Sequence, residues 1–465
     1  MQPMTVRSNA FSVADRRVVV VGAGRSGLAA AELLAARGAQ VVISEAQPDV
    51  TLPERLTTAG VRLDAGGHVE RTLDGAHLVV VSPGVAARHP FVVAARGRGI
   101  PVIGEVELAS RWLRGRLVAV TGTKGKSTTV SLASRMLEES GVEAPVGGNI
   151  GVPLSTQVDA STDRVVHVVE VSSFQLDTIE SFHPWIAVLL NLAPDHLDWH
   201  GTADAYAAAK ARIFENQVPT DWAVVNADDA PAMALAGPAR ARHLTFACEA
   251  SLAEGIVVSE GAIVHRTNAG DVPLIPLSAV RVPGTHLLSD VLAASAIGVL
   301  AGATPGGMTR AVESFRGLEH ALEDVGEIDG IRFIDDSKAT NVLAACRSIE
   351  SVERNVVPIL GGHHKGGDLR PLRTALVGRA HAVVLIGEAR EALRAALVDT
   401  VPLHDADSMS QAVRMAYGLT PPGGTVLLAP ACASFDMFRD YAERGRVFKM
   451  EVAALERERP MAREQ

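Results

Sequence analysis

The sequence predicts an α/β protein of three successive units, and three observations predict it. Two stretches, starting at Arg17 and Leu117, each read as strand, glycine turn and helix in that order. A further run of alternating strand and helix patterns starts near Gly317. The 465 residues also exceed the usual size of a single core. The expected units are residues 1–104, Rossmann-like, residues 105–316, a P-loop ATPase-like parallel sheet, and residues 317–465, again Rossmann-like.

In the first unit the strand Arg17 to Val21 runs into Gly22-Ala23-Gly24-Arg25-Ser26-Gly27 and an alanine- and leucine-rich helix. A second strand ends at Ser44, and Glu45 stands about 20 residues after the loop, where a dinucleotide-binding unit keeps its ribose-binding acid. The same glycine turn also serves close helix packing with no ligand. Ser82-Pro83-Gly84 closes a later strand and reads equally as a plain turn or as a ligand position at a strand's carboxyl end. Glu105 to Trp112 reads as a connecting helix, and Arg114-Gly115-Arg116 as a hinge.

The second unit opens on the apolar strand Leu117 to Val120, then Thr121-Gly122-Thr123-Lys124-Gly125-Lys126-Ser127-Thr128 and a helix. Glycines let backbone N–H groups close around an anion, the helix N-terminus adds positive potential, Lys126 reaches phosphate oxygens, and a hydroxyl can ligate Mg²⁺. Val120 stands where the stricter motif has its first glycine. The strand Val165 to Val169 ends in Glu170-Val171-Ser172-Ser173, oxygen donors of the kind a hard cation takes. Ile186 to Leu190 leads into Asn191-Leu192-Ala193-Pro194-Asp195-His196-Leu197-Asp198-Trp199-His200. On composition alone Lys210, in the helix Tyr206 to Phe214, reads as a surface lysine. Residues 241–282 suggest side β-structure, and His286 to Leu300 a long apolar helix.

The third unit offers a hairpin over Val325 to Asp335 with an Asp329-Gly330 turn, then Asp336-Ser337-Lys338-Ala339-Thr340-Asn341. Gly361-Gly362-His363-His364-Lys365-Gly366-Gly367 and Ala431-Cys432-Ala433-Ser434-Phe435-Asp436 follow two of its strands, and Cys432 reads as a packed thiol.

Composition narrows the class. With 47% hydrophobic and 21% charged residues the chain reads as an ordinary globular protein. A net charge of -9 offers no basic footprint for nucleic acid. Neither a signal-peptide pattern nor an apolar run of about 20 residues occurs, so no membrane insertion is expected. Cys248, Cys346 and Cys432 have neither metal-ligand nor disulfide spacing, which points to a reducing cytoplasm.

Six motifs in order, TGTKGKST, EVSSFQLD, NLAPDHLD, YAAAKARIF, DDSKATN and PACASFD, resemble those of the Mur ligases, most closely the pattern of the D-glutamate-adding member. The resemblance implies a monomeric ATP-dependent ligase acting on UDP-N-acetylmuramoyl-L-alanine and D-glutamate, with a C-terminal domain closing over the site. It implies uridine nucleotide, rather than NAD, near Arg25, Ser26, Glu45 and Gly84. It puts ATP at Gly122 through Thr128 with Asp336 and Lys338, and one Mg²⁺ at Ser127 and Glu170. It implies a carbamylated Lys210 joining His196 at a second Mg²⁺, which reverses the surface-lysine reading. Asn149 falls to the muramoyl substrate, Ser172 and His196 to substrate binding, and Thr340, Lys365, Ser434 and Phe435 to the surroundings of D-glutamate. Lys126, Glu170, His196 and Lys210 are the expected catalytic set.

The chain departs from the family pattern at Lys124, Leu287 and Asp290, where asparagines are usual, and at Ala321, where arginine is usual. By the resemblance, the changes at Leu287, Asp290 and Ala321 remove polar contacts to ATP that the family normally makes, and Lys124 is a candidate for the missing cation. The rival readings are an NAD-dependent oxidoreductase, suggested by Gly22 to Gly27 alone, and a nucleotide-binding protein without turnover.

Overall fold

The computed structural model describes residues 11–193, 195–280, 285–315, 317–364 and 368–458. The chain divides into two compact units between Phe315 and Arg316. Among the described residues no helix is long and apolar enough to cross a membrane.

The first unit holds two sheets. Strands β1 (Arg17–Val21), β2 (Gln40–Glu45), β3 (Arg62–Ala65), β4 (Leu78–Val81) and β5 (Val102–Gly104) pair in parallel in the order β3-β2-β1-β4-β5. Period-2 alternation splits the valines of β1 between two cores, Val18 and Val20 packing with Ile43 and Leu34, Val19 and Val21 with Val79 and Phe91. Burial on both faces explains why these strands read as unbroken apolar runs. The strand order reverses between β1 and β4, so the turns after Val21 and Val81 flank the crevice where open sheets take ligands.

A buried carboxylate joins this sheet to the next. Glu107, on the helix Glu105–Ser110, accepts N–H groups from Glu180, Ser181 and Phe182, the Ser181 hydroxyl and the Arg111 guanidinium at 2.6 to 3.1 Å. Burial would raise its pKa, but these donors outweigh burial and hold the carboxyl below its ordinary range. The expected hinge at Arg114-Gly115-Arg116 is instead a clamped corner. Both Arg114 N and Gly115 N donate to Ser161 Oγ at 3.0 Å, and a Cβ on Gly115 would come within 2.4 Å of the Val165 carbonyl.

The second sheet contains β6 (Arg116–Thr121), β7 (Val146–Gly148), β8 (Val166–Glu170), β9 (Ile186–Leu189), β10 (Trp222–Asn226), β11 (Arg242–Ala247), β12 (Gly255–Ser259), β13 (Ala262–Thr267) and β14 (Gly270–Pro276). Their order is β14-β13-β12-β11-β10-β9-β6-β8-β7. The expected β-structure after Ala241 is the antiparallel meander β12 to β14, whose first turn has Glu260 and Gly261 both at positive φ. The central strand β6 lies between β8 and β9, with Val120 opposite Glu170 and Thr121 opposite Leu189. That register carries the ends of three strands to one edge. The long apolar helix is Thr285–Ala301, and it packs on the helix Lys126–Glu138.

The unit after Phe315 holds β15 (Glu323–Ile328), β16 (Ile331–Asp335), β17 (Val356–Gly361), β18 (Val383–Ile386), β19 (Leu403–Asp405) and β20 (Thr425–Ala431), in the order β15-β16-β20-β17-β18-β19. Asp329 at φ 51° and Gly330 at φ 78° form the expected hairpin turn between β15 and β16. The remaining pairings are parallel, so the segments after β16, β20 and β17 leave the sheet side by side.

Candidate active site

At the end of β6 the chain turns through Gly122 and Gly125, both at positive φ, into the helix Lys126–Glu138. The side chain of Asn191, just beyond β9, staples this loop. Its Oδ1 accepts from Thr123 N at 3.1 Å and Lys124 N at 2.9 Å, while its Nδ2 donates to the Lys124 carbonyl at 3.1 Å. The Thr123 hydroxyl meets the Ala193 carbonyl and the Tyr206 hydroxyl, each at 3.1 Å. Lys126 Nζ donates to the carbonyls of Gly122 at 2.9 Å and Thr123 at 3.1 Å, which keeps the ammonium inside the turn. Lys124 is exposed, and Thr128 lies in the first turn of the helix. A rigid loop with an ammonium at its centre opposes phosphate charge without reorganising.

Glu170 ends β8 with its side chain buried. Its Oε2 accepts from Ser127 Oγ at 2.6 Å and its Oε1 from Asn149 Nδ2 at 2.6 Å. Three side chains expected to serve one reaction therefore touch. The Ser127 hydroxyl and the Glu170 carboxylate form a hard-oxygen pair beside the helix N-terminus, a donor set that fits Mg²⁺. Asn149 is presented by a tight turn, since a Cβ on Gly148 would come within 2.4 Å of the Glu170 carbonyl. Ser172 caps the helix Ser173–Leu176 in a capping box with Gln175, so its hydroxyl is engaged.

Lys210 is buried, not a surface lysine. Its Nζ donates to the Gly122 carbonyl at 2.8 Å and Thr121 Oγ1 at 3.3 Å, and lies 4.7 Å from the centre of the Tyr206 ring. Burial, with the neighbouring Lys126 ammonium, pushes its pKa down to about 7, against the pull of Asp195 and Glu170. His196 has φ 51°, its N–H donates to Asp195 Oδ1 at 2.9 Å, and its ring packs 4.9 Å from that of Phe174.

Asp290 lies against the same loop. A Cβ on Gly125 would come within 2.1 Å of its Oδ1. Burial pushes its carboxyl up to about 8, although Thr129 and Lys126 pull it down. Below about pH 4 this group is neutral folded or unfolded. Between about pH 4 and pH 8 only the unfolded chain ionises it, which lowers folding stability steadily, and above about pH 8 the loss levels off. Asp290→Asn is therefore expected to raise the melting temperature by a margin that widens from pH 4 to pH 8. A margin independent of pH in thermal scans would contradict this.

At the first sheet's crevice, Ala23 N donates to Glu45 Oε2 at 2.6 Å and Gln47 N to Glu45 Oε1 at 3.0 Å. Burial would raise this carboxyl, but the N–H groups of Gln47, Ala23 and Ala46 prevail and hold it below its usual range. A Cβ on Gly27 would come within 1.9 Å of the Gly22 carbonyl, so Gly27 serves packing, whereas Gly24 and Gly84 face open space. Ser26 is half-buried at the start of the first helix. Arg25 is exposed and donates to the Gly151 carbonyl at 2.7 Å, which ties this loop to the turn bearing Asn149. Sequence reasoning missed His68, which meets the Ser44 hydroxyl at 2.9 Å and packs against His89 and Phe91. It lies between strands, where no periodicity marks it.

In the second unit the Asp336 carboxylate is buried and bonded to Leu322 N at 3.2 Å and to the Ser348 hydroxyl. Lys338 and Thr340 follow it, half-buried, with Lys338 N donating to the His320 carbonyl at 3.0 Å and Thr340 N to the Lys338 carbonyl at 2.8 Å. Ser434 is buried and Phe435 exposed, while Lys365 lies outside the described residues. Arg444, also missed, is buried and donates to Ser337 Oγ and the Ser337 carbonyl, each at 2.9 Å, and to the Cys432 carbonyl at 3.1 Å. It thereby ties the segment after β16 to the segment after β20. Burial pushes the Cys432 thiol up to about 11, as a packed, unreactive thiol requires. His320, Glu323 and Asp335 cluster, but His320 Nδ1 is hydrogen-bonded to Asp335 at 2.6 Å, and the Lys449 ammonium bonds Glu323 and Glu319. Asp335 and Glu323 thus each have a partner within the protein.

Three family models match: the Mur ligase MurD-like N-terminal domain at residues 16–104, the Mur ligase middle domain at 120–298, and the Mur ligase glutamate ligase domain at 322–432. The chain is 46% identical over 444 residues to a UDP-N-acetylmuramoylalanine--D-glutamate ligase of Acidobacterium capsulatum, covering 94% of this chain and 96% of that protein. A protein of the same name from Koribacter versatilis is 41% identical, covering 94% and 97%. A solved UDP-N-acetylmuramate-alanine ligase from Thermotoga maritima shares the fold, with a TM-score of 0.56 at 20% identity over 94% of this chain and 99% of that one.

Proposed function

The chain belongs to the Mur ligase family, and on that premise we propose that it joins D-glutamate to UDP-N-acetylmuramoyl-L-alanine, with ATP cleaved to ADP and phosphate, in peptidoglycan precursor synthesis. One observation carries the reading: Lys126, Ser127, Glu170 and Lys210 all meet the phosphate-type loop at the end of β6 or the residues touching it. The NAD-dependent alternative leaves that loop without a purpose.

A carboxylate is a poor acyl donor, and the reaction removes that obstacle in two steps. An oxygen of the alanyl carboxylate bonds to the γ-phosphorus of ATP while the bond to ADP breaks, which leaves an acyl phosphate. The amine of D-glutamate then bonds to the carbonyl carbon, phosphate departs with the bonding pair, and the new amide nitrogen releases its surplus proton to solvent. Both steps concentrate negative charge, which Lys126 and the loop N–H groups oppose from fixed positions. Mg²⁺ held by Ser127 and Glu170 would supply further neutralisation of phosphate oxygens.

Further roles follow as assignments. Residues 1–104 take the uridine diphosphate part through Arg25, Ser26, Glu45 and Gly84, and residues 105–316 take ATP and, at Asn149 and Ser172, the muramoyl part. Residues 317–465 serve ATP through Asp336 and Lys338 and D-glutamate through Thr340, Lys365, Ser434 and Phe435.

A pKa of about 7 leaves Lys210 a substantial neutral-amine fraction at neutral pH. Addition of that amine to CO₂ forms a carbamate and releases one proton, giving oxygens that with His196 would hold a second Mg²⁺. Labelled bicarbonate is expected to yield a carbamate carbon resonance that grows from pH 6 to pH 8 and vanishes in Lys210→Arg. A resonance unchanged by that substitution would place the carbamate elsewhere.

The deciding experiment for the activity is phosphate release from ATP with Mg²⁺ and UDP-N-acetylmuramoyl-L-alanine, D-glutamate supplied or omitted. Sustained release is expected only with D-glutamate. ATP binding with no release under either condition would favour a nucleotide-binding protein without turnover.

A further inference from the structure

We propose that His200 is a positioning residue, which holds the imidazole of His196 by fixing the Phe174 ring against which it packs. The inference rests on the reading of His196 as a metal ligand.

His196 is poorly fixed by its own surroundings. Its side chain is 49% exposed, and its φ of 51° is a left-handed conformation that a residue with a Cβ adopts at some energetic disadvantage. Its imidazole instead rests on Phe174, with ring centres 4.9 Å apart. Phe174 leaves β8 just beyond Glu170, whereas His196 leaves β9 just beyond Asn191. The contact therefore spans the two segments that carry the candidate metal ligands on either side of β6.

His200 locks that contact from behind. Its ring stacks on Phe174 at 5.6 Å and 12°, its Nε2 meets Ser173 Oγ at 3.0 Å, and its Nδ1 lies 3.7 Å from Asp177 Oδ2. Its side chain is 4% exposed. Trp199 closes on the same Phe174 ring at 4.4 Å, and Tyr206 meets the edge of the cluster, 5.5 Å from His200. Tyr206 in turn bonds Thr123 in the phosphate-type loop and lies over Lys210. A polar anchor and an aromatic stack on one buried ring define the Phe174 rotamer far more narrowly than apolar packing alone. Displacement of Phe174 would free His196 to leave its left-handed position.

A buried histidine that merely filled space would affect melting temperature and leave metal affinity alone, which sets the test. Mn²⁺ binding is followed by electron paramagnetic resonance with a non-hydrolysable ATP analogue, so no turnover is required, and thermal melting is recorded alongside. The variants are His200→Asn, which keeps a polar contact and loses the stack, His200→Phe, which keeps the stack and loses the bond to Ser173, and His196→Ala. His196→Ala is expected to weaken the looser Mn²⁺ site by more than about tenfold, and each His200 variant by about tenfold, the lower end for groups that orient a metal's ligands. If His196→Ala weakens that site while both His200 variants bind Mn²⁺ within twofold of the parent, the positioning role is overturned and the ligand reading stands. If His196→Ala itself leaves Mn²⁺ binding unchanged, the ligand reading fails and the inference falls with it.

Discussion

Lys126→Ala is expected to lower the rate of D-glutamate-dependent phosphate release by about 10²- to 10³-fold, the loss typical of removing one preorganised electrostatic donor. The ammonium is bonded to the Gly122 and Thr123 carbonyls, so its charge stands in the turn before any phosphate arrives. Neither lysine beside it replaces it. Lys210 has its pKa lowered to about 7 and loses its positive charge altogether as a carbamate, and Lys124 is exposed. The fold should survive, because the loop keeps its Asn191 bonds. Lys126→Arg is expected to recover little, since a planar guanidinium does not fit the place of a compact ammonium. Full turnover in Lys126→Ala would remove the residue from the mechanism.

Glu170→Gln is expected to reduce turnover by about 100-fold or more and to raise the Mg²⁺ concentration for half-maximal rate by at least about tenfold, no less than the 10- to 100-fold range for residues behind a metal's direct ligands. The change is nearly isosteric but removes the charge, and an amide has one acceptor oxygen for two donors. Ser127 and Asn149 donate to different oxygens of this carboxylate, so with the amide oxygen facing Asn149 the Ser127 hydroxyl must reverse and accept from the new NH₂ group. Steady-state rates across a Mg²⁺ titration check the prediction. An unchanged Mg²⁺ requirement would exclude Glu170 as a ligand and leave it as a brace for Ser127 and Asn149.

The parts of the site legible in sequence are those built from neighbours along the chain. A strand, two glycines at positive φ and a helix start are short-range features, and β6, Gly122, Gly125 and Lys126 follow them directly. Glu170 was legible for a similar reason, as a carboxylate at the end of an apolar run. Lys210 was not, because an alanine-rich helix gives no sign of which face is covered; only the family motif singled it out. The supposed hinge at Arg114 to Arg116 failed for the converse reason. Glycine between charged residues looks mobile locally, but the Ser161 hydroxyl that clamps it lies 46 residues away from Gly115. His68, His200 and Arg444 gain their meaning from partners that no spacing rule connects.

By itself the sequence determined the α/β class, the order of strand, glycine turn and helix, and the motifs that mark a Mur ligase, because these depend on backbone sterics, side-chain period and residue identity along a few turns of chain. Only the tertiary structure decided that Lys210 is a buried amine of lowered pKa, that Asp290 leans on Gly125 as a carboxyl of raised pKa, and that His200 stacks behind Phe174. The physical reason is that solvation and charge depend on what surrounds a group in space. The Gly122 carbonyl that receives Lys210 is 88 residues away along the chain and hydrogen-bonded to it in the fold.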